Sequence, residues 1–383
     1  MLTVRNGEYP NLDFSLLEEA KKTKVKVLKT GALEPFRLFK LFSGQKSLPT
    51  FQLNQTDSAG LLNRISRWIR MNLFIPDGRV GWVPFAIIKG WKYLRNNPVD
   101  IIFTSGPPHS THLIGRYLKW KFKLPWVADF RDPWIDLFYY KDQIRTVFAR
   151  KFDKKLQFAV LNNADRIVTV SPGFRELLGQ YTDQTKIQVI YNGYDEDDFG
   201  KIGCTKVNDY LNICHIGTLS RHQNPMALFE AVRQMTTKNK PAIRLHFFGT
   251  IHDSVKYSLA DNNLTEIVHF HGYVSHTQII EQIDTFQLLF LVIPVTKSNR
   301  GIIPGKIFEY IRSRVPILLI GPAESDTAKI IQMTNSGYVH DFNDVNGIKN
   351  RLSSNLSTMP NNYMQYERRN LATKLADVFN GIR

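Results

Sequence analysis

The feature that most constrains the fold is a repeated alternation of short apolar runs with helical segments along most of the 383 residues. Val99–Phe103, Trp126–Asp129 and Arg166–Val170 have the length and composition of buried strands, and a turn and a helical pattern follow each of them. The alternation resumes at Leu211 and continues to Ile320. Strands that alternate with helices in this way predict an α/β fold with parallel, doubly wound sheets.

Length and one irregular segment predict more than one domain. A chain of 383 residues exceeds the size at which a single core stops growing. Gly193–Asp209 is acidic, has little apolar periodicity and separates the two alternating regions. We therefore predict an N-terminal domain over residues 1–200, a C-terminal domain over 201–360, and a terminal helix over 361–383 that packs back on the first domain.

Charge and hydropathy limit the partners and the location. The chain has 50 Lys and Arg against 34 Asp and Glu, a net charge of +16, which suits nucleic acid, an anionic membrane or phosphorylated substrates. The excess is spread over both halves, whereas nucleic-acid binders more often concentrate it, so we predict no nucleic-acid partner. No signal-peptide pattern is visible, and the longest apolar run, Leu288–Val295, is far shorter than the roughly 20 residues that span a bilayer. We predict a cytoplasmic protein.

The most informative motif is a loop that leads into a helix at Gly301–Pro316, GIIPGKIFEYIRSRVP. Backbone N–H groups at such a junction bind anions, and Lys306 adds a positive charge suited to a diphosphate. Glu309 follows on the same helix face, where its carboxylate could accept hydrogen bonds from a ribose diol. A solvated Lys–Glu pair after an ordinary turn would have the same spacing, so the motif alone leaves both interpretations open.

A second junction lies at Ile213–Pro225, ICHIGTLSRHQNP. Gly217 permits close approach of a ligand to the backbone, and Arg221 and His222 offer donors to phosphate oxygens. Asn224, followed by Pro, predicts the N-cap of a helix. A capped loop without a ligand is the alternative interpretation.

Two more junctions carry candidate groups for chemistry. TSGPPHST places a histidine near a helix start, where it could carry a proton or donate a hydrogen bond to substrate. VADFRDPW places two carboxylates and an arginine after a strand, where open α/β sheets bind ligands. A structural histidine and an internal Asp–Arg ion pair are the alternatives. The residues concerned are His109, Asp129, Arg131 and Asp132.

A basic amphipathic helix is predicted at Leu61–Leu73, LLNRISRWIRMNL. Its apolar residues, including Trp68, share one face, and three arginines flank that face. This pattern suits an anionic membrane surface. It also suits a helix that packs on the core with its arginines in water.

With these segments in this order, the chain resembles a nucleotide-sugar glycosyltransferase of the GT-B fold, of the glycosyltransferase family 4-like group of bacterial cell-surface polysaccharide enzymes. The family implies two Rossmann-like domains that face a cleft, with the nucleotide-sugar held by the C-terminal domain and the acceptor by the N-terminal domain. Its reactions are usually anomer-retaining and use no metal or cofactor. The motifs that carry the resemblance are SGPPHSTHLIG (105–115), PWVADFRDPW (125–134), VSPGF (170–174), VIYNGYDEDDF (189–199), IGTL (216–219) and 301–316.

The resemblance also implies roles for individual residues. Glu309 matches the glutamate that binds the ribose, and Lys306 and the preceding loop amides would face the diphosphate and the donor sugar. Gly217 and Thr218 would lie under the phosphates, and the loops at Gly249 and at 271–273 would surround the base. The implied donor site comprises Gly217, Thr218, Arg221, Gly249, Gly272, Tyr273, Ile303, Pro304, Gly305, Lys306 and Glu309, and the implied acceptor side comprises His109, Asp129, Arg131 and Asp132.

Three departures from the family pattern accompany these implications. Gly301 stands where relatives often have a first glutamate, and Thr218 and Gln223 stand where an arginine and a lysine are usual, so Arg221 would have to substitute for them. The match also begins at what resembles the second strand, which implies that a strand–loop–helix unit is missing. Two hypotheses follow: a transferase acting on a glycan or lipid-linked acceptor, or a non-catalytic, truncated paralogue that binds a nucleotide-sugar or a partner protein.

Overall fold

The computed structural model describes residues 1–5, 7, 20–33, 61–135, 145–200, 210–236, 242–296 and 299–382. The chain forms two compact units, which are described separately. Unit 1 comprises Met1–Val170, Phe174–Val189 and Ala376–Arg383, and unit 2 comprises Ser171–Gly173 and Ile190–Leu375. The main division thus follows residue 189, before the predicted boundary at residue 200, and the end of the chain returns to unit 1 at Ala376.

The chain up to residue 189 has the strands of unit 1 and five described helices. The strands are β1 (Leu2–Val4), β2 (Leu28–Thr30), β3 (Ile102–Gly106), β4 (Trp126–Phe130), β5 (Arg166–Thr169) and β6 (Ile187–Val189). The helices are α1 (Leu61–Leu73), α2 (Val83–Asn96), α3 (Ser110–Phe122), α4 (Val147–Asn163) and α5 (Pro172–Leu178).

Parallel pairing joins these strands into two sheets. The larger sheet has the order β3-β4-β5-β6, and β1 pairs with β2 in a separate sheet. Every residue of β4 is buried, as expected for a central strand covered on both faces. The first strand of the larger sheet runs from Ile102 to Gly106 rather than over the predicted Val99–Phe103, because its residues pair in register with Trp126–Phe130. The missing strand–loop–helix unit stays a prediction.

Unit 2 contains a single six-stranded parallel sheet of order β12-β11-β10-β7-β8-β9 among the described residues. The strands are β7 (Tyr210–Ile216), β8 (Ala242–Phe248), β9 (Val268–Gly272), β10 (Leu288–Val292), β11 (Ile317–Ile320) and β12 (Gly337–His340). The helices are α6 (Met226–Thr236), α7 (Asp253–Asp261), α8 (His276–Ile280), α9 (Ile307–Ser313), α10 (Asp326–Thr334), α11 (Val345–Leu352) and the first part of α12 (Arg368–Asn380), whose residues from Ala376 onward belong to unit 1.

The apolar run in the middle of unit 2 is the fully buried strand β10, which pairs in parallel with β7 and β11. Its sequence excluded a membrane span on length alone, and the structure confirms the buried parallel strand. Among the described residues, no helix has both the length and the hydropathy to cross a membrane.

Two local predictions in unit 2 are corrected. Asn224 does not cap α6, because its side-chain Oδ1 accepts no hydrogen bond from the described residues, and its Nδ2 donates to Ser258 Oγ at 2.7 Å. The helix predicted at Thr277–Asp284 starts at His276 and ends at Ile280, and a 3-10 turn at Ile283–Thr285 follows it. In unit 1, α2 was not predicted, since its tryptophan, tyrosine and lysine side chains obscure a simple apolar stripe.

Candidate functional site

The carboxyl ends of three adjacent strands in unit 2 consist of glycine backbone. Gly217 follows β7 and Gly249 follows β8, with φ of +108° and +107°, and Gly272 ends β9. Gly217 N donates to Phe248 O at 2.7 Å, and Gly249 N donates to Gly272 O at 2.6 Å, which links the three ends. A Cβ at Gly249 would lie 2.7 Å from Gly217 O, so only glycine fits this close approach. The result is an edge where a ligand can reach the backbone.

The side chain of Lys306 lies over this edge. A Cβ at Gly217 would come within 2.6 Å of Lys306 Nζ, so the ammonium group packs directly against the glycine. Lys306 Nζ also donates to Nε2 of the buried His215 at 3.1 Å. His215 Nδ1 in turn donates to Phe290 O at 3.1 Å, which fixes the tautomer whose Nε2 accepts from the lysine. This places a cation at the strand ends.

Burial controls the protonation of this pair. It lowers the pKa of Lys306 to about 8. It also lowers the pKa of His215 well below its ordinary value, and the neighbouring lysine charge adds to that effect. His215 therefore stays neutral and serves as an acceptor that orients Lys306. The sequence missed His215, because nothing in the letters of β7 shows that its ring meets a lysine 91 positions later.

Glu309 lies in the first turn of α9 and is engaged by a histidine that the sequence did not single out. His276 Nε2 donates to Glu309 Oε1 at 3.0 Å, and this hydrogen bond raises the pKa of His276. The Glu309 side chain is 21% exposed, so the carboxylate still reaches solvent. His276 occupies the first turn of α8, where Ser275 and Gln278 form a capping box that fixes it.

The other predicted donor residues surround this pair in unit 2. Gly305 is exposed and precedes α9, and Ile303 is buried in the core, so only its backbone is available to a ligand. Tyr273 is exposed directly after Gly272. Arg221 is exposed in the loop after Thr218, and its Nε donates to His222 Nε2 at 3.1 Å. The role of Arg221 as a substitute phosphate ligand stays a prediction.

The candidate residues of unit 1 lie at the carboxyl ends of β3 and β4. Ser105 is paired with Asp129 in the sheet, and its Oγ donates to Asp129 Oδ2 at 2.8 Å. Arg131 Nε donates to the same oxygen at 2.8 Å. The alternative of an Asp–Arg ion pair is therefore present, but Asp129 Oδ1 is buried without a protein partner among the described residues.

His109 lies in an aromatic stack next to Asp129, at the carboxyl end of the strands. Its ring is parallel to Trp134 within 8°, with centroids 5.0 Å apart, and His112 stacks on Phe130 with centroids 4.5 Å apart. Both nitrogens of His109 and Nε2 of His112 are buried and have no partner among the described residues. Burial lowers the pKa of His109 to about 3, so the ring is neutral at physiological pH. Buried nitrogens without partners point to a ligand or ordered water.

Residues that the sequence did not indicate hold this stack in place. Trp134 Nε1 donates to Asp153 Oδ1 at 2.7 Å, and Arg145 Nη1 lies 2.8 Å from Asp153 Oδ2, with both charged side chains buried. At the start of α3, Asp77 accepts from the backbone N of Ser110 at 2.8 Å and from its hydroxyl at 3.0 Å. Asp77 is 33 residues before Ser110, so no local capping pattern could reveal it.

Asp132 differs from Asp129 in its environment. Burial raises the pKa of Asp132, whereas Asp129 accepts hydrogen bonds from Ser105 and Arg131. A carboxyl with a raised pKa next to a ligand-binding edge is suited to proton transfer. Of the four predicted residues in unit 1, the structure brings His109 and Asp129 to adjacent strand ends and ties Arg131 to Asp129.

Two family models match consecutive parts of the chain. The Glycosyltransferase Family 4 model matches residues 52–198, and the Glycosyl transferases group 1 model matches residues 204–370. The two matches together cover most of the sequence and meet between residues 198 and 204, inside the irregular segment Gly193–Asp209. They confirm the resemblance to GT-B glycosyltransferases that the sequence motifs indicated. No curated protein sequence matches this chain significantly.

Solved structures with the same fold span most or all of the chain. HepE from Anabaena, in complex with UDP and glucose, is 13% identical, covers 99% of both chains and has a TM-score of 0.63. Sucrose-phosphate synthase from Thermosynechococcus elongatus is 14% identical, with 79% and 78% of the two chains covered and a TM-score of 0.61. The lipopolysaccharide outer core galactosyltransferase WaaB is 12% identical, with 97% and 87% covered and a TM-score of 0.57.

The structural similarity establishes the fold, and the two family models establish the family. Each unit is a parallel α/β sheet of Rossmann-like construction, and the similar structures are GT-B glycosyltransferases. With a Family 4 segment followed by a group 1 segment, the chain belongs to the GT-B glycosyltransferases.

Proposed function

We propose that this glycosyltransferase moves a sugar from a nucleoside-diphosphate sugar to a hydroxyl group of a glycan or lipid-linked acceptor in cell-surface polysaccharide synthesis. The observation that carries the proposal is the placement of Lys306 Nζ against Gly217, at the strand ends of unit 2. Transfer proceeds with retention of the anomeric configuration and without a metal ion or cofactor in the site. The chain's own side chains and backbone must therefore stabilise the leaving diphosphate.

Lys306 and the glycine edge supply that stabilisation. The transition state for transfer resembles an oxocarbenium ion, and negative charge develops on the departing diphosphate. Lys306 faces that charge from a position preorganised by His215, at no further cost of reorientation. Gly217, Thr218 and the amides of Gly305 and Lys306 provide backbone contacts to the phosphate oxygens.

Glu309 fixes the nucleoside. His276 engages Oε1, so Oε2 accepts from a ribose hydroxyl, and the hydrogen bond to His276 holds the carboxylate in one orientation. Gly249, Gly272 and Tyr273 form the edge against which the base lies, and Tyr273 presents an exposed ring there. That HepE is known with UDP supports a uridine nucleotide as the first donor to test.

His109 and Asp129 bind sugar hydroxyl groups rather than carry protons. A pKa of about 3 makes the His109 imidazolium unfavourable, so the ring donates from one nitrogen and accepts at the other. Asp129 Oδ1 offers a second buried acceptor. Asp132, whose pKa is raised by burial, is the group that exchanges a proton with the acceptor hydroxyl. WaaB is a lipopolysaccharide outer core galactosyltransferase, which supports a glycan acceptor here.

An apolar and basic surface on unit 1 supports contact with the inner face of an anionic membrane. Thr146 N donates to Asn72 Oδ1 at 2.6 Å, so the end of α1 adjoins the start of α4. Phe148 is 75% exposed, and its ring stacks on that of Phe152 with centroids 6.1 Å apart. The exposed apolar residues of this surface are Ile65, Trp68, Ile69, Leu73, Val147, Phe148 and Phe152.

The donor site is tested by calorimetry with UDP, GDP, ADP and dTDP. We expect saturable binding of one nucleotide, and Glu309→Ala should weaken it at least tenfold, equivalent to about 1.4 kcal/mol. Glu266→Ala, which removes an exposed carboxylate elsewhere in unit 2, is the control. Unchanged affinity in Glu309→Ala would remove Glu309 from the site. Absence of binding by folded protein would instead favour the non-catalytic hypothesis.

Transfer and retention are tested with the donor that binds. Hydrolysis or transfer from the nucleotide-sugar is followed by NMR, and we expect the product to keep the anomeric configuration of the donor. An inverted product would contradict the proposed course of the reaction. Nucleotide binding without turnover on any glycan or lipid-linked acceptor would support the non-catalytic paralogue.

The membrane surface is tested by co-sedimentation with vesicles of phosphatidylglycerol and phosphatidylcholine. We expect Phe148→Ser combined with Phe152→Ser to reduce binding, because two large exposed rings are lost. Phe158→Ser alters an exposed phenylalanine near the other end of α4 and should leave binding unchanged. Equal binding by all proteins would refute the proposed surface.

A further inference from the structure

A basic pocket lies at the amino ends of the strands of unit 1, opposite to the end that carries His109 and Asp129. Its volume is about 780 Å³, within the range of small-molecule sites. Five basic residues and one acidic residue line it, together with Trp120 and the backbone near the end of the chain. The basic residues are Arg116, Lys119, Lys123, Arg166 and Lys186.

The five cations come from three separate places in the chain. Arg116 and Lys119 lie on α3, and Lys123 directly follows that helix. Arg166 starts β5, and Lys186 ends a 3-10 turn before β6. Like charges gathered in a concave surface repel one another and raise the local concentration of anions. The helix dipole favours positive side chains at the carboxyl end of α3, and this explains the presence of Lys119 and Lys123. It does not account for Arg116, Arg166 or Lys186.

The acid in the pocket is already used by the protein. Asp165 forms a 2.6 Å ion pair with Lys119 and accepts from Trp126 N at 2.7 Å. In the described parts of unit 1, no acidic side chain forms an ion pair with Arg116, Lys123 or Lys186, although the charge of Lys186 acts on the exposed Asp183 in the same turn. The pocket therefore offers at least three cations that no ion pair occupies.

Trp120 adds a flat apolar surface beside the cations. Its side chain is 62% exposed, although tryptophan is usually largely buried. The ring of Tyr117 lies 5.8 Å from it and widens the aromatic surface. An exposed indole next to several donors suits a ligand that has both a ring and charged oxygens.

We infer that this pocket binds a soluble phosphorylated small molecule with a ring and at least two negative charges, such as a sugar bisphosphate, at a site separate from that of sugar transfer. The cations bind the phosphate oxygens, and Trp120 packs against the ring. The α4 helix of 17 residues, about 25 Å long, separates this pocket from the membrane surface at the other end of that helix.

The test is calorimetry of the full chain with fructose 1,6-bisphosphate and with pyrophosphate, at physiological salt. All proteins in this test carry Lys306→Ala, which removes the proposed diphosphate ligand of the donor site. The measured binding therefore does not depend on the donor site. We expect saturable binding of the sugar bisphosphate that falls at least tenfold in Arg116→Gln/Lys123→Gln/Lys186→Gln. Trp120→Ala should weaken binding of the sugar bisphosphate more than binding of pyrophosphate.

A charge-matched control separates a site from a general electrostatic field. Lys89→Gln/Lys92→Gln/Lys121→Gln removes three exposed lysines of unit 1 that do not line the pocket. It should leave affinity within twofold of the parent protein. Equal weakening in both triple variants, or no saturable binding to a parent protein shown to be folded by circular dichroism, would overturn the inference.

Discussion

A buried histidine lies near the strand ends of each unit, and the two histidines have opposite surroundings. His215 in unit 2 donates to Phe290 O and accepts from Lys306, so both ring nitrogens are satisfied. His109 in unit 1 is just as buried, yet neither of its nitrogens has a partner in the described part of the chain. Burial keeps both rings neutral.

The difference separates a positioning residue from a residue that meets a ligand. A satisfied ring has no remaining donor or acceptor, so His215 acts only through Lys306. A buried unsatisfied ring is costly unless a ligand or water completes it, so His109 is the one suited to touch substrate. Low pKa alone would not distinguish them, because desolvation lowers the pKa of both.

The largest effect should come from breaking the support of the His109 stack. Asp153→Ala removes the acceptor of Trp134 Nε1 and leaves the buried Arg145 charge without this carboxylate. We expect a loss of about 3 kcal/mol in the free energy of unfolding, measured by urea denaturation. Asp183→Ala, at an exposed turn of the same unit, should cost far less. A loss in Asp153→Ala as small as that in Asp183→Ala would show that the buried pair does not stabilise unit 1.

The next effect tests the cation of unit 2. Lys306→Met keeps most of the side-chain volume but removes the charge that faces the diphosphate. Since hydrogen bonds to charged groups contribute about 1.5–3 kcal/mol, nucleoside-diphosphate affinity should fall roughly 10–100-fold by calorimetry. His215→Phe should give a smaller loss, because it removes only the orientation of Lys306. An affinity that does not change in Lys306→Met would place the diphosphate elsewhere.

A change of about tenfold in nucleoside-diphosphate affinity with pH should distinguish Lys306 of unit 2 from His109 of unit 1. Burial lowers the pKa of Lys306 to about 8 in the free protein, and a bound diphosphate would raise it again. Protonated Lys306 binds the anion, so affinity should fall about tenfold between pH 7 and 9. His109 contributes nothing in this range, because it is already neutral. A profile in Lys306→Met as steep as in the parent would contradict this assignment.

The smallest effect concerns the histidine titrations themselves. The hydrogen bond to Glu309 raises the pKa of His276, so its charged form is favoured in the folded state. The resulting stabilisation is present below the ordinary histidine pKa and disappears as pH rises through the raised value. By NMR, His276 should titrate above a model histidine and shift downward in Glu309→Gln, while His109 should not titrate between pH 5 and 8. Titration of His109 in that interval would contradict its assignment as a buried, neutral ring.

Much of the framework followed from local sequence. The period of the apolar runs predicted most strands and helices, because alternation and length are local properties of the chain. The loop before α9 and the glycines at the ends of β7, β8 and β9 were also identifiable as candidate site residues, since turn chemistry depends on neighbouring residues. Boundaries shifted by a few positions where pairing decided them, as at Ile102. The prediction of an N-cap at Asn224 failed because its side-chain amide donates to Ser258, far along the chain, and its Oδ1 accepts no hydrogen bond from the described residues.

The sequence by itself determined the fold class, the family and the identity of Lys306 and Glu309 as candidates. Only the tertiary structure decided which groups control them: His215 for Lys306, His276 for Glu309, and Asp153 through Trp134 for His109. The physical reason is that hydrogen bonding and desolvation depend on which side chains meet in space, and these partners lie on separate elements. The basic pocket of unit 1 has the same origin, because its cations converge only when α3, β5 and the turn before β6 reach one end of the sheet.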